Sequence, residues 1–94
     1  PVARIPTLVT DEGVALGDST IICLHLNEVA APRSLIPADK VARQRMWAAY
    51  AIADGALEAQ IAMRAEMLRP AEVRSESFLE KQRVRIRRCF DALE

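Results

Sequence analysis

The sequence carries no net charge. Thirteen lysines and arginines are balanced by thirteen aspartates and glutamates among 94 residues. A dedicated nucleic-acid binder draws its affinity from an excess of positive charge meeting phosphate, and that excess is missing. The sequence also lacks any apolar run near the roughly 20 residues a membrane-spanning helix needs. Its first residues do not read as a charged-then-apolar leader. Neither a nucleic-acid nor a membrane partner is expected. Histidine is nearly absent: His25 stands alone, which gives no basis for a His-centred triad with a nearby serine. There is no GxGxxG, Walker-type loop, HExxH or paired-cysteine motif. The two cysteines, Cys23 and Cys89, have no metal-type spacing and fall on helical apolar stripes, where free cysteine behaves as a small buried hydrophobe. A reduced, cytoplasmic setting is the expectation. Met46, Met63 and Met67 read as helix filler, so no metal is expected.

What is present begins with two short β-prone stretches, Thr7-Leu8-Val9-Thr10 and Val14-Ala15-Leu16, separated by Asp11-Glu12-Gly13. Aspartate and glycine suit a tight turn, and the pair reads as an antiparallel hairpin. Ile5-Pro6 stands at its entry. Proline at the first residue of a strand removes one ladder donor, and an X-Pro bond there can be cis or trans. Gly17-Asp18-Ser19 then opens a helix on Ile21, Ile22, Leu24 or His25, and Val29, with Asp18 as N-cap. The amides of a helix start suit a carboxylate, and an aspartate beside them can accept from an ammonium, so the corner suits a zwitterionic amino-acid head group. Asp18 and Ser19 can also be read simply as caps of their own helix.

Ala30 to Pro37 reads as a linker, because two prolines within six residues interrupt any helix. Leu35 and Ile36 are expected to hold its path by docking apolar side chains. A long helix is expected from about Ala38 to Arg69, closed by Pro70 and over about 40 Å long. Its apolar stripe is read as Val41, Trp47, Tyr50, Ala51, Leu57, Ile61 and Leu68, with Asp54 occupying one place on it. A carboxylate on a packed face needs a cationic partner or a ligand, and both readings stay open. A second helix begins near Ser75 or Ser77 and runs to the end, with Leu79, Gln82 or Arg83, Ile86, Cys89 or Phe90, and Leu93 on one stripe. Its cations, Lys81, Arg83, Arg85, Arg87 and Arg88, are read as a solvated exterior spread over several faces.

A two-stranded hairpin is marginal in water without further strands, and the sequence starts at Pro1 and stops at Glu94 inside a helical pattern. It is therefore expected to be a piece of a larger protein that does not fold alone.

Residue by residue, the chain resembles the cytosolic glutathione S-transferases, particularly bacterial members, over essentially its whole length. Arg4-Ile5-Pro6-Thr7-Leu8-Val9, Asp11-Glu12-Gly13, Leu16-Gly17-Asp18-Ser19, Ile22 and Leu26 resemble the second half of their thioredoxin-like domain. Leu35-Ile36-Pro37, Arg45, Trp47 and Ala53-Asp54-Gly55 resemble the linker and first long helix of their all-helical domain. Arg69-Pro70 and the serine-containing start of a helix ending in Leu93-Glu94 resemble the second helix.

The resemblance implies an α+β fold: a β-hairpin plus helix from the second half of a thioredoxin-like domain (residues 1–30), a linker (31–37), and the first two long helices of an all-α domain (38–94). It implies glutathione as co-substrate, a small electrophile as second substrate, and a homodimer. The expected glutathione-binding residues are Ile5 through its backbone, the cis Pro6, Asp18 and Ser19 on the γ-glutamyl head group, and Asp54 reaching the glutathione of the partner subunit. His25 departs from the family, which often has an aromatic residue there. The βαβ unit carrying the family's thiol-activating Ser, Tyr or Cys has no counterpart in these residues, so no catalytic residue is assigned. A non-catalytic transferase-like binding or assembly module is the alternative implied.

Overall fold

The computed structural model describes residues 5–94, so Arg4 of the resemblance lies outside the described residues. The chain divides into two units, the first ending at Ala38 and the second comprising Asp39–Glu94.

In the first unit, β1 (Thr7–Val9) and β2 (Ala15–Gly17) pair antiparallel, with Thr7 opposite Gly17, Leu8 opposite Leu16 and Val9 opposite Ala15. Thr10 and Val14, expected inside the strands, close the turn instead. The Thr10 amide donates to the Val14 carbonyl at 2.9 Å, and the Gly13 amide to the Thr10 carbonyl at 2.9 Å. The Val14 amide also donates to Thr10 Oγ1 at 3.3 Å. Gly13 sits at φ 79°, a conformation in which a side chain would be penalised. Helix α1 (Ser19–Val29) packs on both strands. Its half-buried residues include Ile22, Leu24 and His25, whereas Cys23 is exposed. The cysteine therefore lies off the packed face on which the helical period put it. Ile5–Pro6 is a cis peptide, and so is Ala31–Pro32 in the linker.

The second unit is an antiparallel helix pair. Asp39 caps α2 (Lys40–Met67), its Oδ1 accepting from the Ala42 amide at 2.8 Å. A single 3-10 turn at Ala71–Val73 follows Pro70. Ser75 caps α3 (Glu76–Leu93) by accepting from the Phe78 amide at 3.2 Å, which decides between the two serines. Ser77 Oγ instead meets Ser75 Oγ at 3.1 Å. Glu66, near the end of α2, ties the corner together: its Oε1 accepts from the Ser75 amide at 2.7 Å, and both its oxygens take Arg69 Nη1 at 3.0 Å. These bonds hold the Glu66 carboxyl below its ordinary value, the Ser75 amide contributing most.

Packing between α2 and α3 centres on Ala59 (0% exposed) and Leu79 (4%). Around them Ile52, Ala56, Ala62 and Met63 of α2 and Phe78, Gln82, Ile86 and Cys89 of α3 are half-buried. Although Leu93, expected on it, is exposed, the α3 stripe is the one expected as far as Cys89. The α2 stripe is not, because Trp47, Tyr50, Leu57, Ile61 and Leu68 are all exposed. Gly55, Ala56, Ala59 and Ala62 on this face, beside Ile52 and Met63, let the two helix backbones approach closely, while Trp47, Tyr50, Leu57 and Ile61 sit on other sides of α2. Trp47 and Tyr50 meet edge to face there, with ring centroids 6.0 Å apart. Among the described residues no helix is long and apolar enough to cross a membrane.

Candidate functional site

The antiparallel register turns four separate residues into one corner. Because Thr7 lies opposite Gly17, the chain entering β1 at Ile5 and Pro6 runs beside the chain leaving β2 into Asp18 and Ser19. Ile5 is 97% exposed, Pro6 and Ser19 are exposed, and Asp18 is half-buried.

Asp18 does more than its sequence position disclosed. Its backbone stands at φ 87° and ψ 125°, a region that side chains other than glycine rarely occupy. Such a residue costs about 1–3 kcal/mol and persists where its surroundings over-determine it, which happens most often at ligand sites. Aspartate's known tolerance of positive φ, directly after a glycine, was the only signal of this in the sequence. The Oδ1 atom accepts from the Thr20 amide at 2.9 Å, and the Asp18 carbonyl accepts from the Ile22 amide at 3.1 Å. A carboxylate can accept several hydrogen bonds, so capping does not exhaust it. With the amides of the first turn of α1 beside it, the corner offers a negative acceptor for an ammonium and a positive helix end for a carboxylate.

Asp54 belongs to the second unit and is exposed. It lies off the face of α2 that packs on α3, so the burial penalty expected for it does not arise. Its side chain makes no hydrogen bond or ion pair with the other described residues. Gly55 beside it is half-buried, and a Cβ added there would meet Arg85 Nη2 at 3.6 Å and Cys89 Sγ at 4.0 Å.

An open groove of about 700 Å³ runs along α2 and α3, with Ala51, Gly55, Val84 and Cys89 among its lining. Lys81, Arg85 and Arg88 also line it, so three of the cations read as scattered share one side of α3. Arg85 bonds to Glu58 across the pair at 2.9 Å, and Arg83 bonds to Glu76 at 2.7 Å and Glu80 at 3.2 Å. Among the described residues no group of three His, Cys, Asp or Glu side chains could hold a metal ion.

Two further residues had no functional reading in the sequence. Asn27 on α1 takes hydrogen bonds from the linker, with the Leu35 amide at 2.8 Å and Ser34 Oγ at 3.1 Å from its Oδ1. Gln82 carries a buried Oε1 with no hydrogen-bond partner among the described residues.

Comparison with known proteins bears on the fold. No family model matches the sequence. The "Uncharacterized GST-like protein YibF" of Escherichia coli K12 is 35% identical over 94 residues, which is 100% of this chain and 46% of that protein. A glutathione transferase family member from Pseudomonas fluorescens Pf-5, solved with bound S-(propanoic acid)-glutathione, superimposes with a TM-score of 0.91 at 39% identity, covering 100% of this chain and 49% of that one. It is also solved with bound glutathione. A glutathione S-transferase from Methylobacillus flagellatus KT with glutathione bound has a TM-score of 0.88 at 30% identity, covering 96% of this chain and 45% of that one.

The sequence and fold of this chain are those of the glutathione S-transferase family. They match the hairpin and helix of its first domain and the first two long helices of its second. The chain spans about half the length of the relatives it matches.

Proposed function

We propose that the intact protein is a glutathione transferase that binds glutathione at the Ile5–Pro6/Asp18–Ser19 corner and directs its thiolate at an electrophilic carbon of a small molecule. The observation that carries this reading is the match over the whole chain to family members holding glutathione. The strained Asp18 at the exposed start of α1 supports it. In this reading the γ-glutamyl ammonium bonds to the Asp18 carboxylate, and its carboxylate bonds to the Ser19 hydroxyl and the first amides of α1. The Ile5 backbone pairs with the cysteinyl part, and Pro6 fixes the direction in which that backbone faces. Asp54, exposed on α2, reaches the glutathione of the partner subunit in a cytoplasmic homodimer. Residues 1–30 belong to the glutathione-binding domain, 31–37 to the linker and 38–94 to the helical domain.

The chemistry is nucleophilic. A thiolate is a far better nucleophile than a thiol, so an enzyme that lowers the glutathione pKa raises the reactive fraction near neutrality. The residues here orient the tripeptide, and none of them is assigned the activation of sulfur. Retention of the intact protein on immobilised glutathione, lost in Asp18→Ala and in Ser19→Ala, supports the anchor. Undiminished retention of both variants contradicts it. Conjugation of an aromatic halide above the uncatalysed rate supports the transferase, and conjugation at the uncatalysed rate favours the non-catalytic module.

A further inference from the structure

The linker after α1 is held in an unexpected way. Leu35 was expected to dock but is 92% exposed, and of the two apolar side chains read as anchors only Ile36 is half-buried. Burial of so little apolar surface gives the segment little hold. Hydrogen bonds take its place, and they converge on one atom. Asn27 Oδ1 accepts from the Leu35 amide at 2.8 Å and from Ser34 Oγ at 3.1 Å. Ser34 Oγ lies 3.1 Å from the Ile36 carbonyl oxygen and 3.1 Å from the Ile36 amide nitrogen, and so joins the next residue to the same cluster. Upstream, the Ala30, Ala31 and Arg33 amides donate to the carbonyls of Leu26, Glu28 and Ala30. These backbone bonds reach as far as Arg33, and the side chain of Asn27 carries the hold on to Leu35.

We propose that Asn27 is a positioning residue, a latch whose single amide oxygen sets the path of the linker joining the two units. Both of its partners are donors, so only the acceptor oxygen of Asn27 is needed. Aspartate supplies that oxygen and alanine does not. The latch is independent of glutathione binding, so its failure and the failure of the proposed function are separable.

The test uses the intact protein and its Asn27→Ala and Asn27→Asp variants. Amide exchange is measured at Leu35, and tryptic cleavage after the exposed Arg33 is measured alongside. Asn27→Ala loses the bond from the Leu35 amide outright, while the single Ser34 hydroxyl hydrogen can turn to the Ile36 carbonyl, so local opening at Leu35 should rise about threefold or more. Asn27→Asp is expected to stay within about twofold of the parent, because the acceptor is kept. Exchange at Ala56 in the middle of α2 serves as the reference for global unfolding, so that a general loss of stability is not mistaken for release of the linker. Equal Leu35 exchange in Asn27→Ala and the parent, or Asn27→Asp as open as Asn27→Ala, overturns the proposal.

Discussion

At Asp18 the backbone stands at φ 87° while the side chain caps α1 through the Thr20 amide. The two effects oppose each other and can be separated by glycine. Glycine at an N-cap is only a few tenths of a kcal/mol worse than aspartate, whereas relief of the strained conformation is worth about 1–3 kcal/mol. Asp18 makes a further interaction besides the cap, so Asp18→Gly is expected to lose no more than about 1 kcal/mol in denaturant unfolding. A loss beyond about 1 kcal/mol would mean that the cap outweighs the strain. Gln82 presents the reverse case, a buried acceptor without a donor among the described residues. Replacing it by methionine, of similar shape, removes an unsatisfied group and is expected to stabilise by about 1 kcal/mol. A destabilised Gln82→Met would show that residues beyond those described supply the donor.

At the scale of elements, the corner between α2 and α3 depends on Glu66. Its side chain is only 11% exposed and accepts from the Ser75 amide and Arg69. Its folded pKa is depressed below 4.5, so its contribution to stability is fully present above the unfolded value and is lost as pH falls through the folded one. Unfolding midpoints of the parent should therefore drop in acid more steeply than those of Glu66→Gln. Parallel curves would show that the corner does not rest on this carboxylate. Gly55 lies within α2, where glycine costs about 1 kcal/mol relative to alanine. Because its Cβ position has ordinary contacts with Arg85 and Cys89, Gly55→Ala should stabilise the helix by about that amount in thermal unfolding. A loss of stability would mean that another segment of the intact protein approaches Gly55.

How far the elements could be read from the sequence follows from what each depends on. Asp39, Pro70 and Ser75 act locally, so the helix ends were legible within a residue or two. The packed face of α2 depends on which neighbour arrives. The period of Trp47, Tyr50, Leu57 and Ile61 was real, but α3 settled on the small-residue side around Ala59. Asp18 was legible as the cap of α1, whereas its backbone conformation and the Asn27 contacts are tertiary facts with almost no local signature.

At the scale of the whole molecule, only Ala59 and Leu79 are buried among the described residues, while Trp47, Leu57, Ile61, Leu68 and Phe90 are among the large apolar side chains left exposed. So many large apolar side chains are ordinarily covered, and left bare they promote association. Residues 1–94 expressed alone are expected to sediment as concentration-dependent aggregates or oligomers. A monodisperse, cooperatively unfolding monomer would contradict this reading of the exposed faces. The central claim is that the corner at Ile5, Pro6, Asp18 and Ser19 anchors glutathione, and it is tested most directly by calorimetric titration of glutathione into the intact protein and its Asp18→Gly variant. Loss of a charge-assisted hydrogen bond predicts a Kd raised about 10- to 100-fold in a variant that remains folded. An unchanged Kd in a folded Asp18→Gly protein would contradict the account.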